Sequence, residues 1–231
     1  MYPYILVSVA LTLLFAFGCR NALKKHAGLF YLAAALIVVL EVIYYQFGIR
    51  DMAPEWLTAH VVNFFKRGAL STAMFIVVMY LGALDGNRPA VRKLMEIRGE
   101  LSIIACILTL GHNIVYGMKH FVALFTNPWE MKPNVLIAAI LSVIMIAIMI
   151  PLMVTSFKAV RGRMPASRWK SLQRLAYVFF ALIYIHVMVL FLPKLDKKLV
   201  DILIYTVIFA LYLILRLIKA AKRRKLHRQG T

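Results

Sequence analysis

Six histidines occur in this chain of 231 residues, at positions 26, 60, 112, 120, 186 and 227, and only His112 and His186 lie well inside apolar runs. A polar side chain buried among apolar helices is costly to place and normally faces a bundle interior or a ligand. Its ring nitrogen then has two uses: a hydrogen bond to a neighbouring helix, or coordination of a metal. Interhelical hydrogen bonds contribute about 0.6–2 kcal/mol each, so a single buried histidine does not decide between the two. A second at the same level would. His186 follows the segment Arg168-Trp169-Lys170-Ser171-Leu172-Gln173-Arg174-Leu175-Ala176-Tyr177, a basic, aromatic-bearing turn that enters an apolar helix free of Pro and Gly. His26 and His227 sit in basic segments where solvated roles are the default, and His60 and His120 sit at the ends of apolar runs.

The elements that position these residues follow from composition. The chain is 63% hydrophobic with a mean hydropathy of +0.81, which excludes a soluble domain and predicts an all-α, polytopic transmembrane bundle. Apolar runs long enough for a hydrocarbon core of about 30 Å fall at roughly 3–18, 29–49, 68–84, 100–118, 135–155, 171–192 and 199–218, about seven spans. The net charge of +19 could point to nucleic acid, but the 28 Lys and Arg sit in short gaps between apolar runs, the pattern that orients membrane proteins. The gaps 19–28, 85–98 and 157–170 and the tail from 216 hold 3, 4, 5 and 7 of them, and with Arg174 one side carries 20 of the 28. This split predicts an N-terminus outside and a C-terminus in the cytoplasm, in a multi-pass protein of the cell (inner) membrane whose basic tail 221–231 can touch anionic headgroups. The first run is not a secretory signal, since Arg20, Lys24 and Lys25 follow it and no positive charge precedes it. Cys19 and Cys106 lack the spacing of a zinc site or a redox pair.

The runs holding His112 and His186 both start on the cytoplasmic side. A rise of about 1.5 Å per residue puts His112 roughly 18–20 Å and His186 roughly 22 Å from the starts of their helices, so the imidazoles are level. Two level histidines on neighbouring helices meet the requirement for axial ligation of a b-type haem, one on each face. Zinc fits less well, because no third or fourth ligand shares that depth. Lys119, seven residues beyond His112, could reach a haem propionate or snorkel to the outer interface. His60 and His120 are further candidates for interfacial anchors or propionate partners. Asn113 fits an interhelical hydrogen bond better than a ligand. Glu41, followed by Tyr44, Tyr45 and Gln46, could take a proton, assist a quinone or make a structural hydrogen bond.

From Arg67-Gly68-Ala69-Leu70 to the last helix, the chain resembles the ferric reductase-like transmembrane domain family, most nearly the haem-binding membrane subunits of periplasmic methionine sulfoxide reductase systems. Three blocks carry the likeness: Asn87-Arg88-Pro89 through Arg98-Gly99-Glu100-Leu101; Leu110-Gly111-His112-Asn113-Ile114-Val115-Tyr116; and Thr155-Ser156 with Arg168 through Tyr177 and then His186. The resemblance implies transmembrane electron transfer through haem, with His112 and His186 as ligands. It assigns 67–220 to the haem-binding domain and leaves 1–66 as N-terminal helices outside the strongest likeness. The chain departs from the family at Gln173, where a histidine is usual. Two-haem relatives such as the NADPH oxidases carry such pairs on two helices, whereas here Gln173 faces Arg98. The resemblance therefore points to one-haem members, in which a flavin occupies the inner part of the path. Arg98, Arg163, Arg168, Trp169, Gln173 and Arg174 would supply cations and an aromatic face for it, or are ordinary inner-face charge with an interfacial Trp.

The expected function is a membrane b-type haem protein, the electron-transfer subunit of an oxidoreductase. It would relay electrons from a cytoplasmic-side flavin (FMN or FAD), quinol or flavoprotein donor to a small acceptor or partner protein on the outer face, without nucleic acid. The rival is a haem-free transporter or assembly factor built on the same bundle. The absence of an internal repeat and of paired broken helices counts against a transporter. No Gly-rich dinucleotide fingerprint is present in the sequence.

Overall fold

The computed structural model describes residues 4–47, 49, 54–56 and 68–229, and all regular structure among them is helical. The elements are α1 (Tyr4–Gly18), α2 (Arg20–Gln46), α3 (Ala69–Ala83), α4 (Pro89–Met95), α5 (Arg98–His112), a π-helical turn (Asn113–Gly117), α6 (Met118–Thr126), a 3-10 turn (Pro128–Glu130), α7 (Pro133–Val154), α8 (Lys158–Arg161), α9 (Ala166–Gln173), α10 (Leu175–Phe191), a second 3-10 turn (Leu192–Lys194) and α11 (Leu195–Gln229). Proline opens α4 and α7, where its missing N–H costs nothing and its fixed φ suits the first turn. Helix α2 starts at Arg20 rather than at the end of the predicted gap, because no breaker lies between Arg20 and Lys25. The chain turns instead at His26, whose φ of −129° and ψ of 40° leave helical geometry and set the basic first turns aside from the apolar remainder. His60 and Arg67 lie outside the described residues.

Four helical stretches among the described residues are long and apolar enough to cross a membrane: Arg20–Gln46, Arg98–Thr126, Pro133–Val154 and Ala166–Lys222. Two further apolar helices, Tyr4–Gly18 and Ala69–Ala83, have 15 residues each, which at about 1.5 Å per residue fall short of a core of about 30 Å. Many large side chains on these helices point outward, among them Leu14 (70% exposed), Leu40 (64%) and Val207 (63%), an arrangement that lipid satisfies and water does not. The chain is a multi-pass membrane protein.

The 57-residue stretch Ala166–Lys222 folds back on itself. Arg216 lies over the Tyr177 ring, Tyr184 Oη is 3.0 Å from Thr206 Oγ1, and the Phe191 and Tyr205 rings are 6.0 Å apart. Helices α10 and α11 are therefore antiparallel across Leu192–Lys194. The same logic runs α3 against α5, with Gly68 beside His112 and Gly82 beside Arg98, and α7 against α9 and α10, with Ser142 beside His186 of α10 and Thr155 beside Trp169 of α9. The N-terminal helices are part of this packing, since α1 lies along α3 and α2 along α5. Gly111 of α5 permits the second approach: a Cβ there would stand 2.7 Å from Val38 Cγ2.

The four basic segments meet at one end of the bundle. Glu96 receives Arg20 and Lys24 at 2.7 Å each, buried Glu100 receives Lys158 at 2.7 Å, and Lys219 donates to the carbonyls of Gly82 (2.9 Å) and Leu84 (2.6 Å). Each bond joins segments that are distant in sequence, so the bundle gathers its charge where the residue counts assign the cytoplasmic face.

Candidate functional site

His112 ends α5 and His186 lies two-thirds of the way along α10, and both line one cavity among α3, α5, α7, α10 and α11. The cavity measures about 140 Å3 and opens into a cleft with about 810 Å3 of unoccupied space in all, part of it open to the surroundings. Phe75, Met145, Met149, Phe179, Ile183 and Phe191 make its walls apolar, and Ser71, Thr72, Thr109, Asn113 and Ser142 add a few polar groups. An apolar cleft with a small number of convergent polar groups is the usual form of a small-molecule site.

Three features set the histidines. Helix α3 begins at Gly68 in the left-handed region (φ 66°), and a Cβ there would stand 3.3 Å from His112 Cγ and 3.4 Å from its Nδ1. The missing side chain gives the imidazole its room, and the positive φ is one that only glycine adopts without cost. The His112 ring stacks on Tyr116 with centroids 5.8 Å apart. Across the cavity, Ser142 Oγ lies 3.5 Å from His186 Nδ1 while donating to the Ala138 carbonyl at 2.9 Å. With Nδ1 turned to α7, Nε2 is the His186 nitrogen left for a ligand, the way an outer partner orients a metal-binding imidazole. Among the described residues no three His, Cys, Asp or Glu side chains cluster as a metal site, so this cavity offers two imidazoles and no further donor of those types. Two imidazoles in an apolar cavity form the donor set that would hold a haem, which brings its remaining ligands with it.

Lys119 is exposed on α6 and is not among the cavity's lining residues. In an unbroken α-helix seven residues come within about 20° of two full turns, which would put Lys119 near the face of His112. The π-helical turn Asn113–Gly117 takes up an extra residue and rotates the helix beyond it by roughly 100°. His120 is half-buried on the same helix and likewise outside the lining. Glu41 is buried, with Tyr44 buried one turn on, and does not reach the cavity.

The six residues of the expected inner rim separate into three groups. Trp169 donates Nε1–H to the Thr155 carbonyl at 3.0 Å, and Gln173 donates to Thr155 Oγ1 at 3.1 Å, so both tie α9 to the end of α7. Arg163, Arg168 and Arg174 are exposed. Arg98 is half-buried, with Nη1 at 3.7 Å from the position of a Gly82 Cβ. Sequence reasoning missed Arg161, which lies over the Trp169 ring at 4.4 Å, and Arg216, which lies over Tyr177 at 4.8 Å and donates to its hydroxyl. It also missed Gly68 and Ser142. A lone serine in the apolar run Leu141-Ser142-Val143 was the one available signal, and nothing in the sequence joined it to a histidine 44 residues on.

Comparison with known proteins agrees with this architecture. An uncharacterized protein of Treponema pallidum (strain Nichols) is 36% identical over 217 residues, 89% of this chain and 58% of the relative, so the chain spans less than two thirds of that relative's length. No solved structure gives a significant match. The family described as ferric reductase like transmembrane component matches residues 67–184, which include α3 through most of α10 and the first of the cavity histidines, His112, and end two residues before the second, His186. The chain belongs to the ferric reductase-like transmembrane component family.

Proposed function

We propose that this chain is a seven-span membrane electron carrier that holds one b-type haem between His112 and His186. The observation that carries the proposal is the pair of imidazoles, brought from α5 and α10 to one apolar cavity with Nδ1 of His186 facing Ser142. The fold-back of α10 on α11, which makes two crossings of one stretch, supports five crossings, and α1 and α3 complete the seven as short spans that a locally thinned bilayer accommodates. An N-terminus outside and a cytoplasmic tail in the inner membrane follow from the gathered basic end.

One-electron transfer is what a haem with two imidazole ligands supplies. His112 and His186 would hold the group, with Ser142 orienting one ring and Gly68 leaving space for the other. Phe75, Phe179, Met149 and Ile183 give the cavity an apolar wall, and such a wall, with hydrogen bonding, would set the potential. Among the described residues the inner half of the bundle holds no second pair of imidazoles: Arg98 has no lone pair to offer a metal, and the Gln173 amide is engaged by Thr155. The donor is therefore a flavin, as FMN or FAD, or a quinol at the basic rim of Arg98, Arg168, Trp169, Gln173 and Arg174, and the acceptor is a small molecule or partner protein at the outer face. A reduced-minus-oxidised visible spectrum of the detergent-purified protein tests this. A sharp b-type band is the expected result, and purified, folded protein without a chromophore would leave a haem-free bundle as the reading.

A further inference from the structure

Arg98 stands at the basic end of the bundle in a setting that an internal partner does not explain. It opens α5 half-buried and its side chain carries five N–H donors, yet that side chain makes no hydrogen bond or ion pair among the described residues. Its neighbours raise the problem. Its Nη1 lies 3.7 Å from the position of a Gly82 Cβ, and the Gly82 carbonyl receives Arg216 (3.5 Å) and Lys219 (2.9 Å), while the next residue, Gly99, meets the end of α7 at the Ser156 carbonyl, beside the Thr155 that holds Trp169 under Arg161. The nearby acids are spent elsewhere, Glu96 on Arg20 and Lys24, and Glu100 on Lys158. A partly desolvated guanidinium beside further cations, with no carboxylate among them, is unfavourable until an anion joins it.

The surrounding groups define that anion. Guanidinium forks match phosphate oxygens in paired hydrogen bonds, and two forks converging from different helices suit a group with several free oxygens. The hydroxyl of Tyr177, which receives Arg216, adds a polar group at the same place. Trp169, under Arg161, and Tyr177, under Arg216, supply aromatic faces for the apolar or planar body attached to the anion. We infer that Arg98, Arg161 and Arg216 form a phosphate-binding site at the basic end of the bundle, with Gly82 at its base and Tyr177 in its wall. Two sources carry such a group there: the headgroup of an anionic phospholipid of the adjoining leaflet, or the phosphate of a mononucleotide cofactor. The second source deepens the proposed donor site and rests on that reading; the first does not.

The test uses the full chain purified in detergent and two probes. Native mass spectrometry counts dioleoyl-phosphatidylglycerol retained against dioleoyl-phosphatidylcholine, and a fluorescence titration follows FMN. One probe binds one to one, and Arg98→Gln weakens it by about tenfold or more, the loss expected for a charge-assisted hydrogen bond. Phosphatidylglycerol as the retained probe identifies the headgroup, and FMN the cofactor. Arg161→Gln and Arg216→Gln repeat the measurement should Arg98→Gln fail to fold. Indifference to both probes, or wild-type affinity in the folded variants, would overturn the inference. Loss of the haem reading alone would not, because the visible spectrum is recorded separately and reports the other end of the bundle.

Discussion

Replacing Gly68 with alanine tests how the cavity is held open. At φ 66° any L side chain is strained, by about 1–2 kcal/mol for alanine in this region. Alanine also removes freedom from the unfolded chain, which returns about 0.4–1 kcal/mol, so backbone effects leave a net loss of about 1 kcal/mol. The new Cβ would then stand 3.3 Å from His112 Cγ, 3.4 Å from Nδ1 and 3.5 Å from Cδ2, so the ring has to give way by a few tenths of an ångström. Asparagine separates the two effects, because it accepts a left-handed backbone but brings the same Cβ. The assay is haem content, melting temperature and low-temperature electron paramagnetic resonance, which reads the orientation of axial imidazoles. Gly68→Ala lowers the melting temperature and shifts the resonance; Gly68→Asn shifts the resonance with a smaller loss of stability. Gly86→Ala, with nothing within 4 Å, changes neither. A wild-type melting temperature and resonance in Gly68→Ala would refute the argument.

His112→Ala and His186→Ala each remove the visible b-type band while the protein still inserts, whereas His26→Ala and His227→Ala keep it; full retention in either of the first two would sink the ligand assignment. Gly111→Ala brings its Cβ to 2.7 Å from Val38 Cγ2 and destabilises the α2–α5 contact by about 1–3 kcal/mol, and Val38→Ala in the same chain restores most of it. Additive losses in that double-mutant cycle would show that the contact is not what limits residue 111. The hydrogen bonds of Lys24 and then Arg20 hold the Glu96 carboxyl down at about 2, from an ordinary 4.5. A carboxyl with a lowered folded-state value contributes stability above pH 4.5 that fades as pH falls towards 2, so Glu96→Gln should flatten melting temperature against pH across that window. An identical slope in wild type and variant would place the acid sensitivity elsewhere.

Much of the helical frame was legible because a membrane core demands long apolar runs, and the runs holding His112 and His186 could be aligned by rise per residue alone. Details that depend on irregular backbone were not. Helix α2 begins among charges and turns at His26, which no breaker marks. The π-helical turn Asn113–Gly117 carries Lys119 off the face that a regular 100° step assigns to it. Contacts between distant helices were equally hidden. Gly68 looked like any glycine before an apolar run, and Arg161 and Arg216 looked like scattered inner-face charge until folding brought them to Trp169, Tyr177 and Gly82. Arg98 and Gln173 were legible as places where a second pair of ligands is missing, since residue type alone decides that they cannot serve a metal as imidazole does.

The central claim is one haem per chain, held by the single pair of cavity histidines. Pyridine-haemochrome and iron quantitation against polypeptide, on protein purified with its native complement, reads that number directly. The account predicts a ratio of one, falling to zero in the His112→Ala/His186→Ala double variant. A ratio near two in the wild type, or haem that survives the double variant, would contradict it.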